Sequence, residues 1–398
     1  MSIRPLVFAA LSLTVASAAL AQIANDPKEQ AVIDTAAKPD SWFLEQVGGK
    51  RITLDGQTLD LRLQYRLEQG YKADAAQKKA APPPDPAVKQ KTIDDYFADP
   101  KIVAGIRAEA NQEWIRQTNP GPAMASVRDE QVRARDGQPI RVRIYHPKAK
   151  GPLPVLVYYH GGGWVIGNIE AVDRSMLLLA DISKAIVVSV DYRLSPEAPY
   201  PGSWNDSEDA FDWTVANAKR LGGDGKRICV GGDSAGGNMS AVVTNRTRNA
   251  GKFSPSCMLL YYAAVDNRPV PEMRKDYASA RLFWQGFGLD VPFTEYVHRA
   301  VFPGQNLSQP EISPIFADGI EKMPPTVMAS AGFDPLRDSD RVYAAKLRKA
   351  GVKVVELEYP SLRHGFMQHT RVTKEADRAS RESAAAFGKM VWGLKPKR

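Results

Sequence analysis

Gly232-Asp233-Ser234-Ala235-Gly236-Gly237 follows a strand-like run, Arg227-Ile228-Cys229-Val230, and precedes a helix-like one. A serine at so sharp a strand-to-helix turn is held out from the backbone, where its hydroxyl can attack a carbonyl. The flanking glycines tolerate positive φ and let helix and strand approach without Cβ clashes. Upstream, His160-Gly161-Gly162-Gly163-Trp164 follows the apolar run Val155-Leu156-Val157-Tyr158-Tyr159. Consecutive glycines after a buried strand expose backbone N–H groups, the donors that a tetrahedral oxyanion needs. Downstream, Asp334 follows the strand-like segment 326–331, and His364 follows the strand-like segment 352–359. Each of these residues stands at the end of a strand, and the chain order is Ser, Asp, His. The chemistry that suits them is acyl transfer. It needs an attacking hydroxyl, an imidazole that titrates near neutrality to move its proton, and a carboxylate that orients the imidazole.

Each assignment competes with a structural reading. Ser234 opens a helix and would serve as its N-cap. Asp334 stands before Pro335, a good cap before a proline at the first helical position. Asp338 and Asp340 are rival carboxylates, but Asp334 comes directly after its strand. His369 is a rival histidine that lies deeper in the helix-like stretch after His364.

The chain resembles the hormone-sensitive-lipase-like carboxylesterases, the bacterial family IV of the α/β-hydrolase superfamily. The resemblance is carried by His160-Gly161-Gly162-Gly163-Trp164, by Asp191-Tyr192-Arg193-Leu194-Ser195-Pro196-Glu197-Ala198-Pro199-Tyr200-Pro201 and by the motif around Ser234. Gly332-Phe333-Asp334-Pro335-Leu336-Arg337-Asp338 and His364-Gly365-Phe366 complete it, so it spans roughly residues 125–395. It implies an α/β-hydrolase fold, a mainly parallel twisted sheet flanked by helices, with a helical cap. It implies Ser234 as nucleophile, His364 as general base and acid, and Asp334 as the carboxylate that orients His364. Among the backbone donors it selects Gly162, Gly163 and Ala235 for the oxyanion hole. It implies short- to medium-chain acyl esters as substrates and no cofactor. Two departures touch the substrate pocket: Tyr262 stands where the family usually has proline, and Tyr296-Val297 where paired aromatics are common. The same triad would serve amide or carbamate hydrolysis or deacetylation. A non-catalytic small-molecule receptor is a reading of another class, but such relatives characteristically lose the histidine, and His364 is present.

The elements around these residues follow a clear alternation. Strands at 127–133 and 140–145 flank Asp136-Gly137, a hairpin signal. Strands at 153–159, 185–190, 227–230, 257–262, 326–331 and 352–359 then alternate with helices, the last of them near 374–392. That pattern predicts a doubly wound, mainly parallel sheet whose ligands bind at the carboxyl ends of the strands. Residues 266–322 interrupt it and are expected to form a cap insertion within a catalytic domain of 121–398. Residues 22–120 precede the sheet as an N-terminal extension with cap elements, helical in pattern at 59–67 and 102–115. Between those helices, 73–91, rich in Ala, Lys and Pro, is expected to be a flexible linker. Partner binding by this extension is a further reading, weighed below simple elaboration of the cap.

The 398 residues carry a net charge of +8, yet no long basic run appears and Lys and Arg interleave with Asp and Glu. A mixed solvated surface is expected, with no nucleic-acid partner. Arg4, the apolar stretch 5–18 and Ala19-Leu20-Ala21 read as a cleaved export signal over residues 1–21, too short for a membrane span. The mature protein is therefore expected in the periplasm or medium, without stable membrane insertion. Cys229 and Cys257 are expected to be two buried thiols, because facing cysteines on adjacent strands rarely reach relaxed disulfide geometry. Zinc-type Cys/His spacing is absent and the five histidines are dispersed, so no metal is expected. Edge strands and C-terminal helices pair some members of the resembled family, which leaves a homodimer open.

Overall fold

A computed structural model describes residues 26–80 and 92–394. A two-residue hairpin, β1 (Thr53–Leu54) and β2 (Gln57–Thr58), precedes the main sheet. The sheet comprises β3 (Ser126–Arg133), β4 (Pro139–His146), β5 (Leu153–Tyr159), β6 (Ile186–Asp191), β7 (Gly223–Asp233), β8 (Met258–Tyr261), β9 (Thr326–Phe333) and β10 (Val354–Arg363). These eight strands lie in the order β10-β9-β8-β7-β5-β6-β4-β3. Only β3 and β4 run antiparallel, β3 to β4 and β4 to β6; every other pair is parallel. This is the α/β-hydrolase fold.

The central strands are apolar on both faces, as parallel strands covered by helices must be. All seven residues of β5 are buried. Its side chains alternate between two cores. Val155, Val157 and Tyr159 join Trp204, Phe211 and Met239 from the helices Gly202–Asn217 and Ala235–Asn249. Leu156 and Tyr158 join Met176, Leu179 and Phe387 from the helices Ile169–Ser183 and Lys374–Trp392. The sheet is therefore fixed from both sides, and its carboxyl ends are rigid platforms. Among the described residues, no helix is long and apolar enough to cross a membrane.

Two segments meet over those carboxyl ends. From the N-terminal side come the helices Ile93–Phe97 and Pro100–Gln117, and from the insertion the helices Val270–Asp276, Ala278–Leu282 and Val291–Val301. Phe97 stacks on Tyr296 with ring centroids 4.1 Å apart, and Asp94 pairs with Arg299 at 2.7 Å. Arg107 donates to the carbonyls of Val165 and Ser195, both at 2.8 Å, and pairs with Glu197. The N-terminal helices thus brace both the insertion and the loops beneath it.

Two expectations are corrected. Part of the expected linker is helical, because the helix Leu61–Ala80 continues through Ala73 and its neighbours. Ala, Gln and Lys are strong helix formers, and no proline intervenes before Pro82. The rest of that segment lies outside the described residues, as does the expected export signal. The second correction concerns the cysteines: Cys229 and Cys257 form a disulfide, with Cα atoms 4.7 Å apart. The parallel register pairs Val230 with Met258, which brings Cys229 and Cys257 side by side. Cys257 precedes the first residue of β8, so the pleat does not constrain it as it would a residue inside the strand.

Candidate active site

Strand β7 ends at Asp233, and Ser234 turns the chain with φ 54° and ψ −116°. For a residue with a Cβ such a conformation costs about 1–3 kcal/mol and persists only where the surroundings impose it. Here the Ser234 N–H donates to Tyr261 O at 2.9 Å, and the Ala264 N–H donates to Ser234 O at 3.1 Å. The glycines of the turn are needed for packing. A Cβ on Gly236 would lie 1.8 Å from Tyr159 O, and one on Gly232 would lie 2.3 Å from the Gly236 carbonyl carbon. The Ser234 hydroxyl makes no capping bond to its helix. It lies 2.9 Å from His364 Nε2.

His364 follows the last residue of β10, and its Nδ1 lies 2.8 Å from Asp334 Oδ2. Asp334 directly follows β9, and its other oxygen accepts the Leu336 N–H at 2.8 Å. Asp334 orients His364 with one oxygen and closes a turn with the other; it does not cap a helix, because the helix begins only at Arg337, with Leu336 as its N-cap. Asp334 is fully buried, and Ser234 and His364 are each 8% exposed. The ring of Tyr262 packs edge-on to the imidazole at 4.9 Å.

The rival residues are engaged elsewhere. Asp338 pairs with Arg337 at 2.9 Å and Arg341 at 3.1 Å. Burial, with Asp334 nearby, raises the Asp340 carboxyl well above the usual carboxylate range. His369 accepts a hydrogen bond from Arg363 Nη2 at 2.9 Å. Burial and the Arg363 charge hold its imidazole well below its ordinary value, so it stays neutral.

The glycine loop lies against the turn. Gly162 and Gly163 have φ 113° and 60°, open to glycine at little cost. Asp233 Oδ1 anchors the loop by accepting the Gly161 N–H and the Tyr158 hydroxyl, both at 2.9 Å. Among the described residues, the N–H groups of Gly162, Gly163 and Ala235 meet no acceptor. Ala235 opens its helix, so its N–H has no intrahelical partner and lies at the positive end of the helix dipole. His160 stacks on Tyr192 at 4.3 Å, and the Tyr192 hydroxyl donates to His160 O at 2.7 Å. Burial lowers its pKa, so this imidazole is a neutral brace for the loop.

Two arms of one cleft open on Ser234. An apolar arm is lined by Trp164, Met273, Trp284, Leu289, Phe293 and Val297. A second arm, polar in its charged and amide side chains although apolar surface still predominates, is lined by Glu113, Gln117, Arg363 and Gln368 beside His364, with Trp114, Ile166, Tyr262 and Phe293. Two tryptophans, Trp164 and Trp284, line the first arm. Phe283 and Phe287 pack on Phe333 instead, and Tyr296 packs on Phe97. Sequence reasoning missed Phe293; it lies with Val297, which the sequence marked as touching the pocket, 3.3 and 3.2 Å from where a Cβ on Gly163 would stand. Their i, i+4 spacing on one helix face was the available signal. It also missed Asp233, whose carboxylate ties the loop to the turn.

A family model described as "alpha/beta hydrolase fold" matches residues 156–368. A curated relative, carboxylesterase NlhH of Mycobacterium tuberculosis, is 38% identical over 259 residues, covering 62% of this chain and 77% of its own. Carboxylic ester hydrolase LipN of the same organism is 33% identical over 328 residues, 80% of each chain. Among solved structures, ester-hydrolase EH1AB1 from the Lake Arreo metagenome, complexed with a bipyridine phosphonate derivative, is 34% identical with a TM-score of 0.73. That match covers 84% of this chain and 100% of the other. The chain belongs to the α/β-hydrolase family, in its hormone-sensitive-lipase-like branch.

Proposed function

We propose that the protein is a serine carboxylesterase that hydrolyses short- to medium-chain acyl esters and works outside the cytoplasm. One observation carries the reading: Ser234 Oγ lies 2.9 Å from an imidazole whose far nitrogen lies 2.8 Å from a buried carboxylate. In the first half-reaction Ser234 Oγ bonds to the ester carbonyl carbon while His364 Nε2 takes the hydroxyl proton. The carbonyl oxygen becomes an oxyanion that accepts hydrogen bonds from Gly162, Gly163 and Ala235. The bond from the carbonyl carbon to the alcohol oxygen then breaks, and the departing oxygen receives the proton from Nε2. A water molecule repeats the sequence on the acyl-enzyme, again with His364 as base, and releases the acid and free Ser234. Asp334 stabilises the imidazolium formed in each half.

The apolar arm, closed by Phe293 and Val297 of the insertion, supports a preference for small groups. The apolar stretch before Gln22 and the Cys229–Cys257 disulfide support export, since disulfides persist in oxidising compartments. The activity is tested with p-nitrophenyl esters from acetate to dodecanoate. Turnover is expected to peak among the shorter chains. A folded protein inert on every length would refute the esterase reading, and a maximum at dodecanoate would refute the chain-length reading.

A further inference from the structure

The polar arm contains a cation that the hydrolytic mechanism does not use. Arg363 ends β10, next to His364, and lines the arm that opens on Ser234. Its guanidinium makes one side-chain hydrogen bond, from Nη2 to the neutral His369 at 2.9 Å. Its Nε is buried and meets no acceptor among the described residues. Many arginines of this chain, Arg116, Arg143, Arg193 and Arg268 among them, pair with carboxylates. The carboxylate whose field reaches Arg363 is Glu113, and Glu113 already pairs with Arg66 at 2.6 Å. Glu113 is thus matched by Arg66, and Asp233, which also lines the arm, is held by the Gly161 N–H, the Tyr158 hydroxyl and Gln368 Nε2, so Arg363 has no carboxylate partner of its own. Burying a charge without a partner is costly, so the vacant donors favour an anionic ligand.

The position of the arm says which half of the substrate would bring that anion. The arm is lined by His364, and the oxygen that receives the proton from Nε2 belongs to the departing alcohol. We infer that Arg363 selects esters whose alcohol half bears a carboxylate, such as acylated hydroxy acids. The inference rests on the esterase reading and names the substrate class for it. Gln117 and Gln368 line the same arm and supply neutral polar groups around the bound carboxylate.

The test compares two acetate esters with similar leaving groups, 4-acetoxybenzoate and its neutral methyl ester, on the full-length protein and its variants. The readout is the ratio of the two kcat/KM values, which a general loss of activity would leave unmoved. That ratio is expected to fall about 10- to 100-fold in Arg363→Gln, the range of a charge-assisted hydrogen bond. In Arg363→Lys, which keeps the charge, most of the ratio is expected to survive. Should Arg363→Gln fail to fold, product inhibition of the wild type decides. 4-Hydroxybenzoate should then inhibit p-nitrophenyl acetate hydrolysis about 10-fold more strongly than methyl 4-hydroxybenzoate. An equal ratio in wild type and Arg363→Gln, or equal inhibition by both phenols, would overturn the inference while leaving the esterase reading intact. A wild type inert towards both acetates would overturn the esterase reading itself.

Discussion

Asp233 occupies the position inside the elbow motif whose side chain the motif leaves open, and its work is indirect. By accepting the Gly161 N–H and the Tyr158 hydroxyl it fixes the glycine loop against the turn that carries Ser234. Gln368 Nε2 donates to its second oxygen at 3.2 Å, which ties the segment after His364 to the same carboxylate. Asp233→Ala should therefore loosen the oxyanion donors without removing the nucleophile. A loss of about 100-fold in kcat is expected, the scale of one misplaced oxyanion donor. Steady-state kinetics on p-nitrophenyl acetate would check this, and an unchanged kcat in a folded variant would contradict it. That Ser234, Asp334 and His364 come together was legible, because each ends a strand and the glycine motifs flank them. Asp233 was not legible as an anchor, since its partner Gly161 lies 72 positions away and only the sheet order brings them together.

At the scale of elements, the alternation of apolar strands and helices was readable, and the helix Ala235–Asn249 begins and ends where its glycines and its basic last turn suggest. The two misjudged elements have local causes. Ala73 and its neighbours read as linker because Pro82-Pro83-Pro84 follows, although alanine and lysine favour a helix up to that point. Cys229 and Cys257 read as separate thiols because both stand in strand-like runs, and facing cysteines inside adjacent strands rarely reach disulfide geometry, whereas Cys257 precedes β8. Their disulfide staples β7, the strand that leads into Ser234, to the entry of β8, joining residues 28 positions apart. Closing a loop of that length contributes about 3.6 kcal/mol in the chain-entropy account. Expressed with its own N-terminus in an exporting bacterium, the mature protein is expected to begin at Gln22, with both thiols oxidised and a Tm that falls on reduction. A protein retained with Met1 and two titratable thiols would contradict the export reading.

At the scale of the whole molecule, the site is closed by two segments far apart in sequence. The N-terminal helices hold Arg107 and Phe97 against the loops and the insertion, while the insertion lays Phe293 and Val297 over Gly163. The sequence marked both segments as departures from the strand–helix alternation, but not that they pack on each other. That contact depends on Phe97 reaching Tyr296 across some 200 residues, beyond any local pattern. The chain has a net charge of +8, yet many of its basic residues pair with carboxylates, as Arg143 does with Asp129 and Arg378 with Glu375, in line with the interleaved sequence. Against that balanced background everything converges on one hydroxyl. The most direct measurement is covalent trapping of the purified protein with a fluorophosphonate, followed by peptide mass mapping. A single adduct on the Ser234 peptide, lost in Ser234→Ala and blocked by prior incubation with a short-chain ester, is the predicted result. A folded wild type that takes no label, or takes it equally in Ser234→Ala, would contradict the claim that Ser234 is the nucleophile.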